Sequence, residues 1–512
     1  PPTVSAPRLW SIARGCTAKG ISRANVLTEE CETFDVAIIG YGPVGATLGH
    51  LLGLCGVKTL ILDRETEPYP LPRAVHFDDE VMRVFQAIGL AEEVAAKSRV
   101  NIGMRFVDPT GKLLLDWPRP QQVGRQGWHA SYRFHQPDLE AILRRAMPSR
   151  DCITVRLGCE VTEVIDHGNH CTIQVNDNGP VIRAGYVIGC DGARSMVRQS
   201  MASDMLDYGF HERWLVVDLL LNHPKPELGD WSIQHCDPDR PTTYVRGPEN
   251  RRRWEISLKQ GENTEQMTTP AEIWRLLAKW ITPDEATLER AAVYTFHALI
   301  AKDWRRGRLF LAGDAAHQTP PFMGQGMCAG IRDVANLAWK LALVVQSKAG
   351  EGLLDSYQSE RMLNAEAYIT TAVRLGGLIN TAGTRAALEA AFPTPDGSAR
   401  MESIAPPLGA GIGTGNHAGR LFGQPRMSNG DLLDNACGYR SVLVVTDDLV
   451  DEVSLPQGLR LITQKDAPDV AQELTLLGVK AALIRPDAYI QGTATDKESL
   501  DALLATALPS PT

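Results

Sequence analysis

A chain of 512 residues is too long for one ordinary domain, and its 44% hydrophobic and 22% charged content is that of a globular protein with two or three units. No run of about eighteen apolar residues is present to span a bilayer as a helix, so no membrane span is expected. A net charge of −9 gives no electrostatic reason to expect nucleic acid as a partner. The ten cysteines include no CxxC pair, which fits free thiols in a reducing cytosol rather than a zinc site or a disulfide framework. No metal is therefore expected, and the expected location is cytoplasmic.

Residues 1–33 read as an N-terminal extension. Arg8, Arg14, Lys19 and Arg23 stand among Ser and Ala with no acidic residue before Leu27, a composition shared by organellar transit peptides and by plain leader segments. From Asp35 the apolar, branched run DVAIIG predicts a buried parallel strand, Val44 to Leu54 a helix and KTLIL a second buried strand, which together make a βαβ unit. Between Trp214 and Tyr294, segments such as RWLVVDLLL, TTYV and RRRWEISL predict an antiparallel sheet. RLFLA at Arg308 to Ala312 returns to the buried-strand pattern, and Gly330 to Val345 has helical apolar spacing, so the first domain resumes after an insertion. Asp396 to Gly430 is rich in Gly, Pro and Asn and suits a linker. VLVVTDD, RLITQ and AALIRP then predict strands, with a helix over Ala467 to Leu477.

The chemistry-bearing signal is GxGxxG at Gly40, Gly42 and Gly45, set between a strand and a helix. Gly40 permits the tight turn, Gly42 lets backbone approach a pyrophosphate, and Gly45 lets helix and strand pack, with Pro43 and Val44 opening the helix whose free amides attract the anion. Asp63, about 20 residues on, ends the second strand where a carboxylate can accept from ribose hydroxyls. A glycine-rich loop with a surface Asp is the plain alternative.

Two further motifs, GCDGARSMVR at Gly189 to Arg198 and RLFLAGDAAHQTPPFMGQGMCAGIRD from Arg308, follow in order. At these residues the chain resembles the flavoprotein aromatic hydroxylases of the para-hydroxybenzoate hydroxylase type. With PRAVHFDDE at Pro72 to Glu80, it is most similar to their 3-(3-hydroxyphenyl)propionate hydroxylase branch. The resemblance implies an α/β fold: a Rossmann-like FAD-binding domain interleaved with a mixed or antiparallel-sheet substrate domain, plus a C-terminal thioredoxin-like α/β domain. The expected divisions are 34–205 for the first FAD-binding part, with an excursion to the substrate domain near 100–130. They continue with 206–295 for the substrate sheet, 296–400 for the resumed FAD domain and a helical region, and 401–512 for the linker and tail.

The implied activity is hydroxylation of a small phenolic substrate, ortho to a ring hydroxyl. FAD takes hydride from NADH or NADPH and captures molecular oxygen at its C4a position. No second GxGxxG exists for the nicotinamide donor, consistent with transient docking. By the resemblance, Asp314 after Gly313 holds the flavin ribityl hydroxyls, and Asp191 and Gly192 lie beside the pyrophosphate. Arg64, Arg73 and Gln136 match FAD-contacting positions. Pro320, Pro321, Gly324 and Gln325 lead into the helix end at Gly326 and Met327, whose amides could stabilise charge on the reduced flavin. Asp191 and Asp314 could equally be helix N-caps, and the arginines solvated surface groups.

His76 is the candidate base for the substrate hydroxyl, with Asp78 and Asp79 as orienters, although a lone histidine is often structural. Gln234, Tyr244 and Arg253 are candidate pocket residues, Arg253 for a substrate carboxylate, and RRRWE could instead be an exposed basic edge. His317 resembles a fixed position beside the flavin site, or else packs or caps. Cys437 lacks a CxxC partner, so disulfide exchange is not expected of the tail, and the resemblance favours a homodimer. Rivals on the same scaffold are a flavin-dependent reductase, dehydrogenase or halogenase, or a non-catalytic flavin-binding module.

Overall fold

The structure is a computed structural model that describes residues 32–177, 179–380, 401, 403–450, 455–456, 458–509 and 511. The N-terminal extension, up to residue 31, and the possibility of a targeting signal there lie outside the described residues.

Branched apolar residues buried on both faces build the centre of the first sheet. Strands β1 (Thr33–Ile39), β2 (Thr59–Asp63), β5 (Ile153–Leu157), β6 (Val181–Gly189) and β12 (Leu309–Leu311) run parallel in the order β12-β6-β1-β2-β5. The register sets Ile39 beside both Leu62 and Gly189, and Gly189 beside Leu311. Every loop leaving these strands therefore opens on one edge, where open α/β sheets bind ligands. Helix α1 (Pro43–Leu54) packs on the long buried helix α5 (Gly326–Val345) so closely that a Cβ on Gly330 would lie 2.7 Å from Val44 Cγ2. The helix expected from Gly330 thus starts a turn earlier, at Gly326.

A second, mixed sheet has the order β11-β7-β10-β9-β8-β3-β4, with His317–Gln318 added beyond β11. Its members are β3 (Gly103–Val107), β4 (Leu113–Pro118), β7 (Met205–Leu221), β8 (Ser232–His235), β9 (Thr242–Arg246), β10 (Arg251–Ser257) and β11 (Ala286–Ala301). Strands β3 and β4 come from the 100–130 region, and β3 pairs with β8. One face buries Val217, Tyr244 and Trp254 against Ile273 and Leu277 of α4 (Pro270–Leu277). The opposite face, carrying Asp218, Arg253, Glu255, Thr243 and Gln234, turns toward Pro72 to His76.

A three-stranded sheet joins His76–Asp78, Ser131–Arg133 and Arg99–Val100, followed by α2 (Asp79–Ala87); α3 (Gln136–Ala146) and α6 (Asp355–Asn380) complete the body. In the tail, β13 (Val442–Val445), β14 (Arg460–Thr463), β15 (Ala481–Ile484) and β16 (Ile490–Ala494) form a four-stranded sheet in the order β14-β13-β15-β16, with α7 (Val470–Leu477) and α8 (Lys497–Leu504). β13 and β14 are parallel and the remaining pairs antiparallel. Among the described residues no helix is long and apolar enough to cross a membrane, and no group of three His, Cys, Asp or Glu side chains could hold a metal ion.

Candidate functional site

The parallel edge gathers the glycine loop, Asp63, Asp191 and Asp314. Gly40 has φ +104°, and a Cβ there would collide with the Cys190 carbonyl, so this turn requires glycine. Gly42 caps α1 without any side-chain cap and with Pro43 at the first helical position. A Cβ on Gly42 would meet nothing within 4 Å, whereas one on Gly45 would run into the Gly40 carbonyl. Space is thus open beside the start of α1, whose first amides have no intrahelical acceptor, and an anion suits such a helix end. Asp63 Oδ2 accepts from the Tyr41 amide at 2.6 Å and Oδ1 from the Glu65 amide at 2.9 Å, which fixes the carboxylate at the strand end. Arg64 is exposed and pairs with Glu65 at 3.1 Å.

Asp191 Oδ2 accepts from the amides of Met196 at 2.7 Å and Val197 at 3.2 Å, while Oδ1 is buried with no partner. Burial raises its carboxyl pKa above the usual range against those hydrogen bonds. Ser195, not Asp191, is the N-cap of the short helix Met196–Ser200 that follows, so Asp191 is not the cap considered from sequence and keeps one unmet acceptor. Gly192, at φ +77°, has empty space where a Cβ would point. Asp314 is open to solvent yet has protein packed around it. That enclosure raises its pKa, opposed by His317 and Arg73.

The loop bearing Gly313 and Asp314 is tied from beneath by Asp333 of α5. Asp333 Oδ2 accepts from the Gly313 amide at 3.1 Å and from His317 Nε2 at 2.7 Å, and Oδ1 from Arg361 Nε at 3.0 Å. Burial opposes the charge, but His317 and Arg361 outweigh it and hold the carboxyl below its ordinary value. His317 is therefore a packed tether. Sequence reasoning missed Asp333, although an Arg332-Asp333 pair within an apolar helix is itself a signal, since buried charges must find partners.

Pro320, buried, and the single 3-10 turn Pro321–Met323 lead to Gly324, whose φ of +65° lets the chain turn into α5; a Cβ there would lie 2.9 Å from His76 Cβ. Gln325 is the N-cap residue, and the first amides, of Gly326 and Met327, have no intrahelical acceptor. His76 Nδ1 lies 3.2 Å from the Gly324 carbonyl and Nε2 lies 2.8 Å from Ser131 Oγ. A carbonyl only accepts, so Nδ1 carries the hydrogen and Nε2 accepts from the serine. Burial, reinforced by Arg133, pushes the His76 pKa down to about 3.

That corrects the expected role of His76: both nitrogens are engaged and the ring is no base near neutrality. Nor do its neighbours orient it. Asp78 caps α2 through the Val81 amide at 3.1 Å and pairs with Arg332, and Asp79 accepts from the Glu80 amide at 3.0 Å. Burial and the adjacent Asp78 and Glu80 raise Asp79 to about 7.

Gln136 is buried and clamps the Pro72 to His76 segment: its Oε1 accepts from the amides of Arg73 at 3.0 Å and Ala74 at 2.7 Å, and its Nε2 donates to Glu140 at 2.8 Å. Arg73 is exposed and lies 4.6 Å over the Tyr69 ring.

Two substrate assignments are overturned. Arg253 is spent on Asp218, from Nε at 2.7 Å and Nη2 at 3.1 Å, and on the carbonyls of Pro72 and Arg73, so no fork remains for a carboxylate. Tyr244 lies on the far face, 5.0 Å from Trp254, because the register pairs Tyr244 with Ile233 and Gln234 with Thr243. Gln234 does face the site side, fully buried and accepting from Thr243 Oγ1 at 2.6 Å.

The residues present fit FAD: helix amides without a side-chain cap, a buried unpartnered Asp191 oxygen and the solvent-open Asp314 carboxylate suit phosphate and hydroxyl partners. The family model described as FAD binding domain matches residues 33–372. The chain is 36% identical over 502 residues, covering 92% of itself and 93% of the relative, to a probable NADH-specific resorcinol 4-hydroxylase of Rhodococcus jostii (strain RHA1). It is 39% identical over 357 residues, covering 69% of itself and 61% of the relative, to a 3-(3-hydroxy-phenyl)propionate/3-hydroxycinnamic acid hydroxylase of Mycobacterium sp. (strain KMS). Its fold matches the flavin-dependent monooxygenase PieE in complex with FAD and substrate at a TM-score of 0.79, with 19% identity over 93% of this chain and 98% of that one. It also matches aklavinone-11 hydroxylase with FAD and aklavinone at 0.76, with 22% identity over 92% and 98%. On the extent of these matches, the chain belongs to the FAD binding domain family.

Proposed function

We propose that the chain is an FAD-dependent aromatic hydroxylase that takes electrons from NADH and hydroxylates a phenolic ring beside an existing ring hydroxyl. The observation that carries this reading is the convergence of the Gly40–Gly45 turn, Asp191 and Asp314 on one sheet edge. The named activities of the Rhodococcus and Mycobacterium relatives support the phenolic substrate, and the first supports NADH over NADPH. FAD, when bound, supplies hydride acceptance and oxygen activation.

In this reading the amides of α1 bind the pyrophosphate with Asp191 and Gly192 beside it. Asp63 accepts from the ribose and Asp314 from the ribityl hydroxyls. Arg64 and Arg73 supply positive charge from the exposed rim, and Gln136 holds the segment that carries Arg73. The amides of Gly326 and Met327 stabilise negative charge at a helix end. Phe322, packed 5.6 Å from Trp214 and 5.7 Å from Phe210, helps exclude water behind that loop. His76 acts by positioning: it pins the Gly324 carbonyl and Ser131 while staying neutral.

The test is to supply the holoenzyme with NADH in air and a series of phenols, following NADH loss, oxygen uptake and product mass. A phenol-dependent rise in all three with a product heavier by one oxygen supports the reading. NADH oxidation that ignores every phenol, or a halogenated or dehydrogenated product, rejects it in favour of another flavin chemistry on this scaffold.

A further inference from the structure

Among the described residues, most deeply buried arginines lie against carboxylates: Arg83 on Asp434 at 2.7 Å, Arg332 on Glu80 at 2.6 Å and Arg361 on Asp333 at 3.0 Å. Arg133 does not. It is 8% exposed, its side chain donates to Ser232 Oγ at 3.1 Å, and its Nε is buried without a partner. Arg119, half-buried as a residue, has its guanidinium 4.1 Å over the Trp117 ring and its Nη1 buried and unpartnered. Burial lowers Arg133 to about 10 and Arg119 to about 9, and the positive charge of Arg133 adds to the burden on Arg119.

Their place is specific. His76 and Arg133 are opposed in register on neighbouring antiparallel strands, so their side chains share a face. His76 reaches the Gly324 carbonyl before α5, while Arg133 reaches Ser232 on β8, the strand that carries Gln234. The two arginines thus stand between the flavin-side loop and the substrate sheet. The carboxylates around them are already engaged: Asp78 with Arg332, and Glu255 at 3.6 Å from Arg253. Burying cationic groups whose nearby carboxylates are already paired elsewhere is costly, and an incoming oxyanion offsets that cost.

We infer that Arg133 and Arg119 bind an oxyanion carried by the aromatic substrate, the position that Arg253 cannot fill. This rests on the hydroxylase reading and narrows its substrate class to aromatics bearing a side-chain carboxylate or a ring phenolate.

The test titrates the holoenzyme with 3-(3-hydroxyphenyl)propionate and with resorcinol, following the flavin absorbance between pH 6 and 10. Wild type, Arg133→Met, Arg133→Lys and Arg119→Met are compared at matched flavin content. The expected result is at least about tenfold weaker binding of one ligand in both Met variants, partly restored by Arg133→Lys. Loss confined to the propionate identifies the carboxylate as the bound group. Loss for resorcinol, together with loss of its tightening as the phenol ionises, identifies the phenolate.

Unchanged affinities for both ligands overturn the inference, as does a wild type that holds FAD but binds neither. Met variants that lose FAD while their flavin-loaded fraction binds ligand normally also overturn it, because the arginines would then serve the flavin. FAD content and phenol-stimulated NADH oxidation of the wild type report separately on the hydroxylase reading.

Discussion

The Tyr489 hydroxyl donates to Glu80 Oε1 at 2.6 Å, and through this bond the C-terminal domain is tied to the start of α2. Glu80 Oε2 receives Arg332 Nε at 2.6 Å, and Arg332 Nη1 donates to Gln325 Oε1 at 3.0 Å, at the start of α5. Tyr489→Phe keeps the ring and removes the donor, so it is expected to cost about 1.5–3 kcal/mol, the range for a hydrogen bond to a charged group. Urea unfolding measures this, and an unchanged midpoint contradicts it.

Because the folded pKa of His76 is about 3 and an unfolded imidazole titrates near 6.5, the unfolded chain takes up a proton in acid that the folded chain refuses. Stability is therefore unaffected by this group above about pH 6.5 and falls below it, by up to about 1.4 kcal/mol per pH unit down to about pH 3. His76→Gln is expected to flatten the decline relative to wild type in denaturant titrations from pH 7 to 4. A parallel decline in both proteins would show that His76 is not held neutral by the fold.

Asp333→Asn leaves the buried Arg361 guanidinium without its carboxylate and loosens the tie to the Gly313 amide. The expected cost is about 3–5 kcal/mol, with weaker FAD retention because the Asp314 loop loses its anchor. Equilibrium unfolding and flavin content after gel filtration check both. Wild-type values for the two together would remove Asp333 from its role.

The α/β fold and the glycine turn were legible because their signals are local: a branched apolar run, a turn that tolerates only glycine at Gly40, and a helix mouth. Tyr244 was misplaced because face parity is local while register is not. Whether Tyr244 or Thr243 shares a face with Gln234 depends on how two strands align. The fate of Arg253 depended on Asp218, 35 residues away on another strand, and that of His76 on Gly324, 248 residues away. Asp333 and Arg133 were overlooked for the same reason: their meaning lies in which distant groups do or do not meet them.

Gly40 and Gly42 separate folding from cofactor binding. Gly40→Ala introduces strain at φ +104° and a collision with Cys190, so it is expected to impair the fold itself. Gly42→Ala places a methyl where the protein has nothing within 4 Å, so no clash within the protein accounts for a loss of FAD affinity, which comes from the ligand that uses that space.

The decisive measurement is FAD titration of wild type and Gly42→Ala, with thermal unfolding of each in the FAD-free form. One FAD per wild-type chain, at least about tenfold weaker binding by the variant and equal FAD-free melting temperatures are the predicted result. A wild-type chain that takes up no FAD, or a variant that binds it equally well, would contradict the account.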